Sequence, residues 1–227
     1  MDFFSGSATT AEAVMRNNIG GNHNRFILIQ LPELIDSTKK ATSENSKKVV
    51  LNAISVLDEL KKPHYITELA KERIRRAGKK IKEESPLTTQ DLDTGFRVLK
   101  LDSTNMQDIY YSPKDISQAD LFSQVDNVKP DRTGEDLLFQ VMLELGATLD
   151  SEIETTTVAG KTIYNVAEGY LVACFDPDVT DEVVKAIAQM QPAYAVLRDT
   201  SMKDDSTATN FEQIFKTYSP DTVTRIL

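Results

Sequence analysis

Met1-Asp2-Phe3-Phe4-Ser5-Gly6-Ser7-Ala8-Thr9-Thr10 compresses a strand end, a small-residue turn and a helix start into ten residues. The pair Phe3-Phe4 closes an apolar segment and Gly6, among small neighbours, lets backbone approach a ligand. Thr9 or Thr10 can cap a helix over Ala11–Asn17. A loop of this kind sits at the carboxyl end of a central parallel strand. Almost none of that strand precedes Asp2, so the expectation is a chain that begins inside a domain. The loop lacks the Gly-Lys-Ser/Thr of a phosphate-binding P-loop, and its single glycine falls short of G-x-G-x-x-G. Spacing alone therefore leaves two readings open, a nucleotide-type cofactor loop and a plain strand-to-helix turn.

Working outward, Gly20-Gly21-Asn22-His23-Asn24 makes a turn, and Arg25–Leu31 (RFILIQL) is an apolar, β-branched run that reads as a buried parallel strand ended by Pro32. Residues Leu34–Lys48 are polar and suit a surface excursion, and Lys47–Leu60 has the pattern of a short helix. Beyond Pro63, the spacing of Ile66, Leu69, Ala70, Ile74, Ala77 and Ile81 predicts a helix of four to five turns with Thr67 as a plausible cap. Its other face carries Lys71, Arg73, Arg75, Arg76, Lys79, Lys80 and Lys82, interspersed with Glu68, Glu72, Glu83 and Glu84. Those cations suit either a phosphate backbone or a solvated face laced with i,i+4 pairs. Gly95–Leu101 (GFRVLKL) alternates apolar and basic residues and reads as a further strand.

The second half has a different texture. Residues 106–132 carry Pro113 and Pro130, several Asp and Ser and few apolar side chains, and read as a linker with a short helix. Thr133-Gly134-Glu135-Asp136 opens an amphipathic helix closed at Gly146. Ile153–Val158, Thr162–Val166 and Tyr170–Phe175 follow at close spacing, separated by Ala159-Gly160 and Glu168-Gly169, which argues an antiparallel meander. A helix over Thr180–Gln189, a strand over Ala193–Arg198 and a helix over Thr207–Tyr218 complete it. The fold class is α/β: residues 1–105 as one domain, 106–132 as linker, and 133–227 as a smaller α/β domain with a largely antiparallel sheet.

Charge divides the same way. Of the net −9, Met1–Lys100 contributes +4 and Leu101–Leu227 contributes −13. A nucleic-acid face therefore belongs in the first half, and the acidic second half suits protein partners. No apolar run reaches the roughly 18 residues that span a bilayer, and no basic-then-apolar leader opens the chain, so the expectation is a cytoplasmic protein without a membrane partner. Cys174, the single cysteine, lies in an apolar run and reads as a buried structural thiol.

Few residues offer chemistry. His23 and His64 stand in polar or turn contexts without ligand-spaced partners, so no metal is expected and both read as surface residues. Asp176/Asp178 and Asp204/Asp205 flank Pro or Ser in turns, where carboxylates bond their own backbone. Ser5 and Ser7 lack a base.

Taken together, DFFSGSATT (Asp2–Thr10), FILIQLPE (Phe26–Glu33), ERIRRAGKK (Glu72–Lys80) and GFRVLKLD (Gly95–Asp102) resemble the modification (Mod) subunit of type III restriction-modification systems, which are DNA adenine methyltransferases. Glu135–Gln140 and Asn210–Pro220 are similar to that family's carboxyl-terminal region. The resemblance implies a Rossmann-like methyltransferase sheet, here partial, and S-adenosylmethionine as cofactor. It assigns Asp2, Phe3, Ser5, Gly6, Ser7 and Thr9 to the cofactor's methionine end and Gln30 or Glu33 to its ribose. Ala8 stands where the family's common form has Gly. Arg73, Arg75, Arg76 and Lys79 would meet duplex DNA, and a second Mod subunit and the restriction (Res) subunit would be protein partners. The family's catalytic Asp-Pro-Pro-Tyr occurs nowhere in the 227 residues. The resemblance thus implies the carboxyl-terminal part of a longer enzyme, without catalytic residues of its own and inactive alone. The rival class is a non-catalytic interaction or oligomerisation module.

Overall fold

A computed structural model describes residues 1–35, 43–107, 127–198 and 205–227. Among these residues the chain is mixed α/β and divides into two compact units, Met1–Arg97 and Val98–Leu227.

In the first unit the opening residues run parallel to the segment around Leu28, with a bridge between Asp2 and Leu28. The Asp2 amide donates to the Ile27 carbonyl at 2.9 Å and the Ile29 amide to the Asp2 carbonyl at 2.9 Å. Helix α1 (Thr9–Asn17) follows, then α2 (Glu44–Glu59) and α3 (Ile66–Glu84). Ser43 caps α2 by accepting from the Ser46 amide, which extends that helix beyond the short one expected. The core lies between α1 and α3: Ala8, Ala11 and Met15 meet Ala70, Ile74 and Ile81, with Phe26 and Leu28 packed against them. Gly78 permits close approach within this unit, because a Cβ there would stand 2.9 Å from the Thr94 Cβ.

Two strand expectations need correction. Arg25–Leu31 pairs in parallel as read, yet it forms one bridge rather than a ladder and is not buried on both faces. Phe26 and Leu28 turn to the helices, whereas Ile27, Ile29 and Leu31 are exposed, the last at 71%. Gly95–Leu101 is not a strand, and Val98, Leu99 and Leu101 are exposed. Both segments have strand-like composition, but a strand exists only where a neighbour supplies the ladder, and among the described residues none does so here.

The second unit is a sheet covered on both faces. Residues 105–107 and 127–129 pair antiparallel, and α4 (Gly134–Leu145) follows with a complete capping box. In that box Asp136 donates its amide to Thr133 Oγ1, while its carboxylate accepts the Thr133 amide at 2.8 Å. Strands β1 (Ile153–Val158), β2 (Lys161–Val166) and β3 (Leu171–Cys174) form the expected meander. Helix α5 (Asp181–Gln189), β4 (Tyr194–Leu197), α6 (Asp205–Tyr218) and β5 (Val223–Ile226) complete the unit. The order is β1-β2-β3-β4-β5, antiparallel across the first two pairings and parallel across the last two. The sheet is thus evenly mixed, a correction to the largely antiparallel expectation. The helical crossovers α5 and α6 return the chain in the same direction each time, and β5 was not foreseen.

Alternation assigns the two faces. Leu171, Ala173, Phe175 and Val196 join Leu137, Leu138, Val141 and Met142 of α4. Val172, Cys174, Ala195 and Leu197 join Val183, Val184 and Ile187 of α5 and Phe211 and Phe215 of α6. The short helix expected in 106–132 falls within 108–126, and much of the polar excursion expected around 34–48 falls within 36–42; both lie outside the described residues.

Candidate cofactor-binding site

The opening loop is held at four points. Ser5, buried, donates its amide to the Ile29 carbonyl at 3.3 Å and accepts the Ala8 amide at 2.8 Å, which closes a tight turn. Gly6 has φ 51° and donates its amide to Gln30 Oε1 at 2.8 Å. Asp2 accepts the Phe4 amide at 3.2 Å and the Thr10 hydroxyl at 2.7 Å. Ser7 Oγ accepts from Arg73 Nη1 at 3.1 Å. The parallel pairing fixes where the loop starts, the Asp2–Thr10 bond ties that start to the first turn of α1, and Gln30 and Arg73 brace the middle.

Ala8 carries the cost of the turn. It has φ 62° and ψ 38°, the left-handed conformation that an L-residue adopts at roughly 1–2 kcal/mol, and its side chain is fully buried. This is the position at which the resembling family commonly has glycine, and the backbone gives the reason. Ala8 also occupies the N-cap position of α1, which has no side-chain cap. The expected cap from Thr9 or Thr10 is therefore corrected: the helix begins at Thr9, and Thr10, already inside its first turn, spends its hydroxyl on Asp2. A Cβ added at Gly6 would meet nothing within 4 Å, so the loop has open space beside it.

The structure places Asp2, Phe3, Ser5, Gly6 and Ser7 on one loop with Thr9 as the first residue of α1, and brings Gln30 to Gly6. Phe3 and Phe4 are exposed, the latter at 90%. Gln30 spends its carbonyl on Gly6 and its amide on the Leu31 carbonyl at 3.2 Å. Glu33 is exposed, and its carbonyl accepts the Ile66 amide, which ties it to the start of α3.

Most cations of α3 have intramolecular partners. Arg75 and Arg76 share Glu72 at 3.9 and 2.6 Å, Arg75 also lies over the Phe96 ring at 5.6 Å, and Lys79 approaches Glu83 at 3.8 Å. Lys71 bonds Glu68. Arg73 departs from this pattern: it turns to Ser7 and, at 3.4 Å, to Glu12. Desolvation acts to raise the Glu12 carboxyl, and hydrogen bonds from Arg16 and Arg73 outweigh it and hold the group below the ordinary range. Sequence reading placed Arg73 with the outward cations. The available signal was its position between Ala70 and Ile74, both of which face the core.

His64 is partly buried and bonds Asp58 at 2.7 Å, a partner six residues away in sequence that spacing rules did not single out; His23 is exposed as read. Among the described residues no group of three or more His, Cys, Asp or Glu could hold a metal ion, and no helix is long and apolar enough to cross a membrane.

Over 98 residues the chain is 35% identical to the Mod subunit of a type III restriction-modification enzyme, StyLTI, from Salmonella typhimurium. The match covers 43% of this chain and 12% of that subunit, so the chain spans about an eighth of the length of the curated relative it matches. No family model matches the chain. Part of the chain is thus similar to a restriction-modification subunit.

Proposed function

We propose that this chain carries the S-adenosylmethionine-binding loop of a DNA adenine methyltransferase of the type III Mod kind. One observation carries the reading: a paired parallel segment turns through Gly6 and Ala8, both at positive φ, directly into α1, with open space beside Gly6. The partial identity to a Mod subunit supports the same reading. Asp2, Phe3, Ser5, Gly6, Ser7 and Thr9 would hold the methionine end, and Gln30 or Glu33 the ribose. The cofactor would supply an electrophilic methyl group. This chain's residues bind and orient it, while the adenine-gripping residues belong to an Asp-Pro-Pro-Tyr motif that the sequence does not contain. The chain alone binds without transferring. Duplex DNA would lie along Arg75, Arg76 and Lys79, whose heads are exposed, with a second Mod subunit and a restriction subunit as protein partners.

Calorimetric titration of the full chain with S-adenosylmethionine tests the proposal. Micromolar binding supports it, and no binding by a chain that retains its circular dichroism refutes it. A specific feature favours the alternative of an interaction module: Phe3, Phe4, Ile27, Ile29 and Leu31 are all exposed. That reading predicts self-association or capture of a protein partner, with S-adenosylmethionine having no effect.

A further inference from the structure

We infer that Arg73 is the anion receptor of the loop and takes the α-carboxylate of the cofactor's amino-acid end. The inference rests on the cofactor reading above. It begins with what the guanidinium lacks. A guanidinium has five donors in a planar fork suited to a two-oxygen anion, and Arg73 uses it on two separate acceptors, a neutral hydroxyl at 3.1 Å and a carboxylate oxygen at 3.4 Å.

That carboxylate belongs mainly to another residue. Glu12 accepts from both Nε and Nη2 of Arg16 at 3.2 Å, and Arg16 continues to Glu84, which also meets Lys80. The connected network therefore holds three cations, Arg73, Arg16 and Lys80, against two carboxylates, Glu12 and Glu84. The network carries one net positive charge, and Arg73 is the end of it that touches the loop.

Place selects the kind of anion. Ser7 adjoins Gly6, beside which space is open, and the Arg73 side chain is 38% exposed, so the head group is reachable without being free in solvent. Arg75, Arg76 and Lys79 point their charges to Glu72 and Glu83 on α3 itself. A backbone phosphate would be met by that row. A single carboxylate on a small molecule seated at the loop would be met by Arg73, with Ser7 as neighbouring hydroxyl.

The test compares S-adenosylmethionine with 5′-methylthioadenosine, which keeps adenine, ribose and sulfur but lacks the amino-acid end. Arg73→Gln should weaken S-adenosylmethionine about tenfold, the value for a partly exposed charge-assisted bond, and leave 5′-methylthioadenosine unchanged. Arg73→Lys, which keeps charge without the fork, should show a smaller selective loss and serves if the Gln variant does not fold. Equal weakening of both ligands, or of neither, overturns the inference and leaves the cofactor reading standing. Wild-type chain that binds neither ligand overturns both. Loss of duplex DNA affinity in Arg73→Gln with both nucleosides unaffected also overturns it and returns Arg73 to the phosphate row.

Discussion

Replacing Gln30 by Ala removes the acceptor that holds the Gly6 amide at 2.8 Å, in a partly buried setting 24 residues away in sequence. The Gln30 contact to the Leu31 carbonyl is exposed and adds little. A neutral hydrogen bond of this kind contributes about 1 kcal/mol net. Since RT is about 0.6 kcal/mol, the loop should open about fivefold more often, and amide hydrogen exchange at Gly6 should lose protection by that factor. If the loss is felt by the whole first unit, its thermal midpoint falls by about 4–8 °C. Gln30→Glu keeps an oxygen at similar reach and should retain protection, which separates the missing acceptor from missing bulk. Gly6 exchange in Gln30→Ala that matches wild type would refute the bracing role.

Three further outcomes follow from the same geometry. Gly78→Ala gains about 1 kcal/mol of helix propensity but drives a methyl to 2.9 Å from Thr94 Cβ; overpacking of roughly 1–3 kcal/mol should win, giving a net loss in urea unfolding that becomes a gain in a Thr94→Gly background. Ala8→Gly relieves roughly 1–2 kcal/mol of left-handed strain while losing a buried methyl of about 0.8 kcal/mol and adding unfolded-chain freedom of about 0.5–1, so its unfolding midpoint should stay close to wild type, whereas Ala8→Val should be strongly destabilised. The Thr133 backbone amide, then its hydroxyl, bonds Asp136 and holds that carboxyl below the ordinary range. The folded value lies below the unfolded one, so the capping contribution is complete above about pH 4 and is lost as pH falls through the lowered value; Asp136→Asn should flatten the acid limb of second-unit stability, and Thr133→Ala should cost about 1 kcal/mol at neutral pH.

What could be read from sequence was what is decided locally. Thr133 and Asp136 at capping-box spacing, Gly146 after Leu145, and Ala159-Gly160 between two alternating runs each state a boundary in their own chemistry, and the structure has all three. The stripe Ala70, Ile74, Ala77 and Ile81 likewise predicted the buried face of α3. What failed was long-range. Val223–Ile226 is four residues whose strand character comes from parallel pairing with β4 across α6. Gly95–Leu101 has better strand composition than β5, yet among the described residues no strand pairs with it. Within the loop, Gly6 was legible because glycine announces backbone freedom, whereas Ala8 stood out only through the family resemblance, which commonly has glycine there. The braces were read less well: Gln30, 24 residues from Gly6, was placed at the site through the resemblance alone, and Arg73, 66 residues from Ser7, was grouped with the outward cations although it lies between the core residues Ala70 and Ile74.

Cys174 sits on the central strand β3 with no solvent exposure, and burial pushes its thiol above the ordinary range. Thiolate is the reactive form, so an alkylating reagent in neutral buffer modifies this side chain when β3 is opened. As the single sulfhydryl in the sequence, it makes the native protein its own clock: the labelling rate reports how often the mixed sheet comes apart. A dye attached through a cysteine introduced on the opening loop would then report on the first unit without competition from the second.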